Sequence, residues 1–189
     1  MVQDERGHGQ RKVVGAYFVT LDGVAEAADR FITAWDDEVD ARGTELIATQ
    51  DTVILGRRTY DEWVGYWPTS DVEPFASFVN AAPKFVATST PLAGEWANTS
   101  VIDGDLVEFV KALKSKPGGD IGVHGSISIT QALLAAGLVD DLQLVIAPTV
   151  APTSGDRRLL DNLPAIQLET VNSSMSPSGY LLVTYRVLH

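Results

Sequence analysis

The sequence predicts an α/β fold on one mostly parallel central sheet, with helices on both faces and an antiparallel C-terminal hairpin at one edge. Three features of the 189 residues lead there. From Arg11 to Gly137, short runs rich in β-branched residues alternate with helix-like segments, the order that joins parallel neighbours by crossover helices. After Leu142 the alternation stops and three strand-like runs follow one another. A turn-forming stretch, Ser173 to Gly179, joins the last two.

Arg11 to Val19 reads as a buried strand running into Thr20-Leu21-Asp22-Gly23, where Asp-Gly signals a turn. Asp36 to Gln50 has helical character, with Val39, Leu46 and Ile47 as apolar positions. Thr52 to Leu55 is a short apolar strand stopped by Gly56, and Thr59-Tyr60-Asp61-Glu62 fits a capping box opening the next helix. Gly65 to Asn80 reads as irregular and aromatic. Lys84 to Thr88 is a strand, and Asp105 to Lys116 an amphipathic helix capped by Asp105 and stopped by Pro117-Gly118-Gly119. Ile121 to His124 is a strand, followed by a helix with a Ser128-x-x-Gln131 box and Gly137 past its end. Leu142 to Val150, Ile166 to Val171 and Tyr180 to Val187 complete the strands. One domain is expected over residues 11–189, behind a disordered leader at 1–10.

Composition narrows the function. Fourteen basic against 25 acidic residues give a net charge of −11, a field that repels polyphosphate, so nucleic acid is not an expected partner. No apolar run approaches the ~20 residues that span a bilayer, and the polar start lacks a signal-peptide core, so a soluble cytoplasmic protein is expected. The chain has no cysteine, which removes thiol catalysis and thiolate metal sites. The three histidines, His8, His124 and His189, have no metal-ligand spacing, and no metal is expected.

In open α/β sheets ligands bind beyond the carboxyl ends of strands. Three such junctions carry suitable chemistry. Gly56-Arg57-Arg58-Thr59 combines close backbone approach, two guanidiniums and a hydroxyl at a helix start, a set that suits phosphate; a capped helix with two solvated arginines reads equally well. Gly125-Ser126-Ile127-Ser128 is a phosphate cradle in outline, or a tight turn with a capping serine. Thr88-Ser89 is a hydroxyl cluster after a strand, as simple turns also are. Trp67 lies where an aromatic wall for a planar ligand would be useful.

These segments, with Leu55-Gly56-Arg57-Arg58-Thr59-Tyr60 and Gly137-Leu138-Val139-Asp140-Asp141-Leu142 as the most specific, resemble the dihydrofolate reductase-like superfamily. The closer resemblance is to the reductase (C-terminal) domain of the bifunctional riboflavin-biosynthesis deaminase/reductase and its stand-alone relatives, from about Arg11 to Val187. It implies a single-domain, three-layer dihydrofolate reductase-like fold. It also implies NADPH held at Gly56, Arg57, Arg58 and Thr59, with Thr88 and Ser89 at the adenosine ribose and its 2′-phosphate and Gly125 to Ser128 at the pyrophosphate. A departure is the run Pro148 to Arg158, which has one glycine where relatives often have a glycine-rich turn.

The expected function is an NADPH-dependent reductase delivering hydride to a C=N or C=O of a small heterocycle, of the 5-amino-6-(5-phosphoribosylamino)uracil reductase or dihydrofolate reductase type. Asp22 is the first candidate for orienting substrate or relaying a proton, with a plain Asp-Gly turn as the other reading, and Asp40 is the second. A non-catalytic nucleotide- or flavin-binding module and an oligomer-assembly domain remain the alternatives. The resemblance also implies a homodimer, for which the apolar terminal strands could supply the interface.

Overall fold

The computed structural model describes residues 11–151 and 156–189. The expected leader, and residues 152–155 of the run with the single glycine, lie outside the described residues. The elements are β1 (Val13–Thr20), α1 (Asp37–Ala48), β2 (Gln50–Gly56), α2 (Arg57–Trp63), α3 (Phe75–Ala81), β3 (Lys84–Ala87), β4 (Thr99–Val101), α4 (Leu106–Lys114), β5 (Asp120–His124), α5 (Ile127–Ala135), β6 (Asp141–Ala147), β7 (Gln167–Met175) and β8 (Leu181–Leu188). The sheet runs β4-β3-β2-β5-β1-β6-β8-β7. The six strands from β4 to β6 are mutually parallel, and β8 and β7 are antiparallel additions at one edge. This is the expected α/β, dihydrofolate reductase-like architecture.

The central strands are Val/Ile/Leu-rich because both faces are covered. On one face, Ile54, Ile121 and Val123 pack against Val110 and Leu113 of α4 and Ile129, Leu133 and Leu134 of α5. On the other, Val53, Leu55 and Val86 pack against Tyr60 of α2 and Val79 of α3, while Val39 of α1 packs beside Phe18 and Val145. The side chain of Asp36 caps α1 through the N–H groups of Glu38 and Val39, and that of Asp105 caps α4 in the same way. α5 closes with Leu138 N–H on Leu133 O and Gly137 N–H on Leu134 O.

Several boundaries differ from expectation for physical reasons. α3 sits inside the stretch read as irregular, because its seven residues are too short to show a helical period and its aromatics serve the cleft below. β4 has only three residues, two of them exposed, so it leaves no apolar signature. α2 starts at Arg57 rather than near Thr59, with Gly56 as its N-cap and no side-chain cap. α5 starts at Ile127 with Ser126 at the cap, and Gln131, the expected box partner, donates to the carbonyls of Arg158 and Leu159 instead.

Candidate functional site

The carboxyl ends of β3, β2 and β5 are neighbours in the sheet, so the loops leaving them share one rim. Beneath that rim lies a cleft of about 1040 Å³. Its lining includes Gly56, Arg57, Arg58, Thr59, Trp67, Thr88, Ser89, Gly125, Ser126, Ile127 and Ser128, together with Asp40 from α1. Of the residues singled out from sequence, only Asp22 is not among them.

Hydroxyl groups tie two of the junctions together. Gly56 N–H donates to Ser126 Oγ at 2.8 Å, Ser126 Oγ donates to Thr59 Oγ1 at 3.0 Å, and Thr59 Oγ1 donates to Gly125 O at 3.3 Å. Each hydroxyl accepts one bond and donates the next, so the rim is braced from within. Gly125 makes the tight passage possible. Its φ of +62° is in the left-handed region, and a Cβ there would lie 3.3 Å from Thr59 Cγ2. With Ser126 engaged elsewhere, the first turn of α5 has no side-chain cap at the cleft wall, and helix-start N–H groups of this kind receive anions.

The arginines are also engaged. Arg57 donates through Nε to both carboxylate oxygens of Asp61, at 2.8 and 2.7 Å, and through Nη1 to Thr90 Oγ1 at 2.7 Å and to the Pro91 carbonyl. It fastens α2 to the loop after β3. Arg58 is paired with Glu26, from the loop after β1, and with Glu62. Glu26 also accepts the Arg157 N–H at 3.1 Å, so this carboxylate stands at the cleft wall between two loops. Thr88 Oγ1 accepts the Thr90 N–H, a local turn that leaves Ser89 exposed.

The inner end is aromatic. Trp67 packs edge-on against Trp63 at 5.7 Å and lies 4.7 Å from Phe75, ring centre to ring centre. His124 completes the group, 5.4 Å from Phe75 and 6.5 Å from Trp63. It is 6% exposed, and its Nε2 meets Gln50 Oε1 at 2.8 Å. Burial pushes its pKa down to about 4, so the ring is neutral, and its Nε2 shares one hydrogen bond with the Gln50 amide. Gly122 makes room for this bond: a Cβ there would fall 2.0 Å from Gln50 Oε1. Sequence reasoning weighed His124 only as a metal ligand and did not count it among the cleft residues. Its position two residues after Gly122, on the same face of β5, was the available signal.

The two aspartates separate. Asp22 accepts from Thr20 Oγ1, the Ala151 N–H and Arg158 at 2.8, 2.9 and 3.1 Å, and these bonds hold its pKa down at about 2. Its carboxylate locks the turn after β1 to the segment after β6, and Val24 pairs with Arg158 beyond it. The Asp22 carboxylate is thus engaged within the turn and lies outside the cleft lining. Asp40 is exposed on the cleft side of α1.

Comparison with known proteins settles the family. The model of the RibD C-terminal domain family matches residues 11–182. The chain belongs to that family. Among curated relatives, it is 29% identical to the uncharacterized protein YyaP of Bacillus subtilis over 181 residues, 93% of this chain and 95% of that one. It is 27% identical to YwjB of the same organism over 145 residues, 75% and 79% of the two chains.

Solved structures agree on the fold. The chain matches a riboflavin biosynthesis protein from Shewanella with TM-score 0.74 and 18% identity over 94% of this chain and 99% of that one. It matches a pyrimidine reductase-like protein from Corynebacterium diphtheriae with TM-score 0.67 and 15% identity, over 95% and 92%. An Enterococcus faecalis dihydrofolate reductase complexed with NADP(H) matches with TM-score 0.62 and 17% identity, over 96% and 99%. Membership of the RibD C-terminal family supports a reductase-type function.

Within this RibD C-terminal domain the cleft has a donor set that fits a dinucleotide. The uncapped α5 start and the two guanidiniums suit an anionic centre, the glycine at 125 keeps the passage clear, and the aromatic inner end suits a planar ring. Among the described residues no group of three or more His, Asp and Glu side chains could hold a metal ion. No helix among them is long and apolar enough to cross a membrane.

Proposed function

We propose that this protein is an NADPH-dependent reductase that transfers hydride to a C=N or C=O of a small heterocyclic, pterin-like or pyrimidine-like substrate. The observation that carries the reading is the convergence of three strand-end junctions on one cleft, with an uncapped helix start at its wall and aromatic rings at its inner end. In this reading the N–H groups at the start of α5, with Arg57 and Arg58, hold the phosphates. Thr88 and Ser89 flank the adenosine ribose. The box of Trp63, Trp67, Phe75 and His124 orients the planar ring and keeps water from it. When bound, the nicotinamide supplies the hydride, and the protein supplies position and a dry setting.

A second reading, a nucleotide- or flavin-binding module without turnover, draws on the locked carboxylate of Asp22 and the depressed basicity of His124, which leave Asp40 as the remaining candidate for proton handling. The two readings separate in one experiment. Both give a thermal shift with NADPH, and only the reductase oxidises NADPH at 340 nm with a pterin or ribosylaminopyrimidine. Absence of any shift with NADPH, NADH or a flavin refutes both.

The proposal includes a cytoplasmic homodimer. β7 is the last strand of the sheet, and eight of its nine residues are exposed, including Val171 and Met175. An open edge of this length favours pairing with a second copy. Val171→Pro is expected to shift the protein to a monomer in light scattering.

A further inference from the structure

We infer that Lys84, which lies outside the cleft, is the positioning residue of its aromatic wall: the buried ammonium gathers the carbonyl end of α3 and, through Asn80, fixes the turn that carries Trp67. This deepens the reductase reading and rests on it only for the planar ring that the wall meets.

Lysine is almost never fully buried unless it is paired with a carboxylate. Lys84 opens β3 and is 0% exposed. Its Nζ donates to Val79 O at 2.7 Å, Ala82 O at 2.9 Å and Asn80 O at 3.5 Å, and stands 4.6 Å from the centre of the Trp96 ring. These partners are three carbonyls and a π face, with no carboxylate among them. The last carbonyls of a helix have no partner within it, and α3 has seven residues and no basic side chain in its last turn. A lysine just past the end, folded back, brings three donors and a positive charge to the negative pole of the helix. The Trp96 face adds a cation–π contact. Burying an ammonium without a counter-ion is nevertheless unfavourable, so its retention points to what this helix end holds in place.

Two paths lead from Lys84 to the cleft. One is α3 itself, whose first residue is Phe75. The other is Asn80, in the turn that Lys84 gathers. Its Nδ2 donates to Trp67 O at 2.8 Å, and its Oδ1 accepts from Trp96 Nε1 at 2.7 Å. Asn98 Nδ2 secures the same turn through the carbonyls of Asn80 and Ala81, at 3.1 and 3.2 Å. Trp96 is thus fixed at its nitrogen by Asn80 and across its face by Lys84. Trp67 and Phe75 line the cleft, whereas Lys84, Asn80 and Trp96 do not. Two rings of the inner wall therefore take their places from one helix end, and one charge organises that end.

The charge is open to titration. Burial lowers the Lys84 pKa to about 8. Among the elements around it, α3 and β4 contain no titratable residue, and the one in β2, Asp51, is paired with Arg11. α2 contributes Tyr60 to this apolar cluster, with its ring 6.2 Å from that of Trp96 and its pKa pushed up by burial and by Asp61. Glu95, before β4, is exposed. His124, at the far side of the wall, titrates near 4. Loss of the Lys84 proton removes one donor and the cation–π contact, so the wall loosens as pH rises through about 8.

The test is near-UV circular dichroism from about pH 7 to about pH 9.5 in a Trp96→Phe background. Phenylalanine keeps a ring over Lys84 and removes the indole that touches the ammonium directly. The remaining tryptophans, Trp35, Trp63 and Trp67, all line the cleft. The expected result is one transition in the indole bands, centred near pH 8. Adding Asn80→Ala, which leaves Lys84 in place, is expected to remove more than half of its amplitude, and Lys84→Met to abolish it. The inference is overturned if the cleft tryptophans show no transition, if most of it survives Asn80→Ala, or if it survives Lys84→Met. Should Lys84→Met fail to fold, the first two comparisons decide. Calorimetric titration with NADPH at pH 7 tests the reductase reading by itself. The transition without NADPH binding refutes that reading and leaves the Lys84 frame standing, and NADPH binding without the transition does the reverse.

Discussion

His124 makes the stability of the fold depend on mild acid, and the size of the effect follows from its surroundings. An imidazole in the unfolded chain titrates near 6.5, and burial lowers His124 to about 4 in the folded protein. Between these values the unfolded chain binds a proton that the folded protein refuses. The stabilisation is therefore fully present above pH 6.5, is lost as pH falls through the window, and changes no further below pH 4. Over the full window, a 2.5-unit difference corresponds to about 3 kcal/mol, of which about 2 kcal/mol falls between pH 7 and pH 5.

The perturbation is His124→Gln, which removes the titration and retains an amide donor for Gln50 Oε1. Urea unfolding at pH 7, 6 and 5, followed by the fluorescence of the neighbouring Trp63 and Trp67, should show wild type losing about 2 kcal/mol more than the variant from pH 7 to 5. Asp22 titrates near 2 and falls below this window. Parallel losses in wild type and variant, or an imidazole NMR titration centred near 6.5, would refute the buried-neutral assignment.

The remaining predictions concern the rim. Arg57→Ala should weaken NADPH binding tenfold or more in calorimetry, the equivalent of ~1.4 kcal/mol; unchanged affinity would reduce Arg57 to its visible task of fastening α2 to the Thr90-Pro91 loop. Gly125→Ala should cost about 1–2 kcal/mol in thermal or urea unfolding, because alanine is disfavoured at φ +62° and its methyl would press on Thr59 Cγ2. Glu26→Gln should strengthen NADPH binding several-fold at low ionic strength and much less at high salt, since it frees Arg58 from an internal carboxylate. No salt-dependent difference would mean that the Arg58 pair does not compete with ligand.

The order of elements was legible because long apolar runs and helix periods carry it. The strand runs Arg11 to Val19 and Tyr180 to Val187, and the Asp105 cap, needed no tertiary knowledge. α3 and β4 were not legible, since seven and three residues are too few to show a period. The site was partly legible: glycines, arginines and hydroxyls at strand ends marked the rim. Its floor was hidden because Ala16 and Gln143 look like any strand residues until the register with β5 sets them beside His124. The surroundings of Asp22 were hidden as well. A carboxylate at a strand end has the chemistry of a proton relay, and only the coordinates show it spent on Thr20, Ala151 and Arg158.

The division between rim and floor bears on which cleft positions the fold depends on. Most side chains that look like ligands at the rim are first of all ties: Ser126 and Thr59 join two junctions, and Arg57 joins a third. What they leave for a ligand is largely backbone N–H at the start of α5 and the outer faces of two guanidiniums, which recognise any phosphate of suitable reach. Such a rim is costly to alter, because each residue also holds the strand ends together. The floor is different. The Gln143 side chain makes no hydrogen bond to another described residue, Ala16 is a single methyl, and a change at either leaves the sheet register intact. Substitutions at 16 and 143 should therefore cost the fold less than any at 56–59 or 125–128, a difference that urea unfolding of the paired variants reads directly.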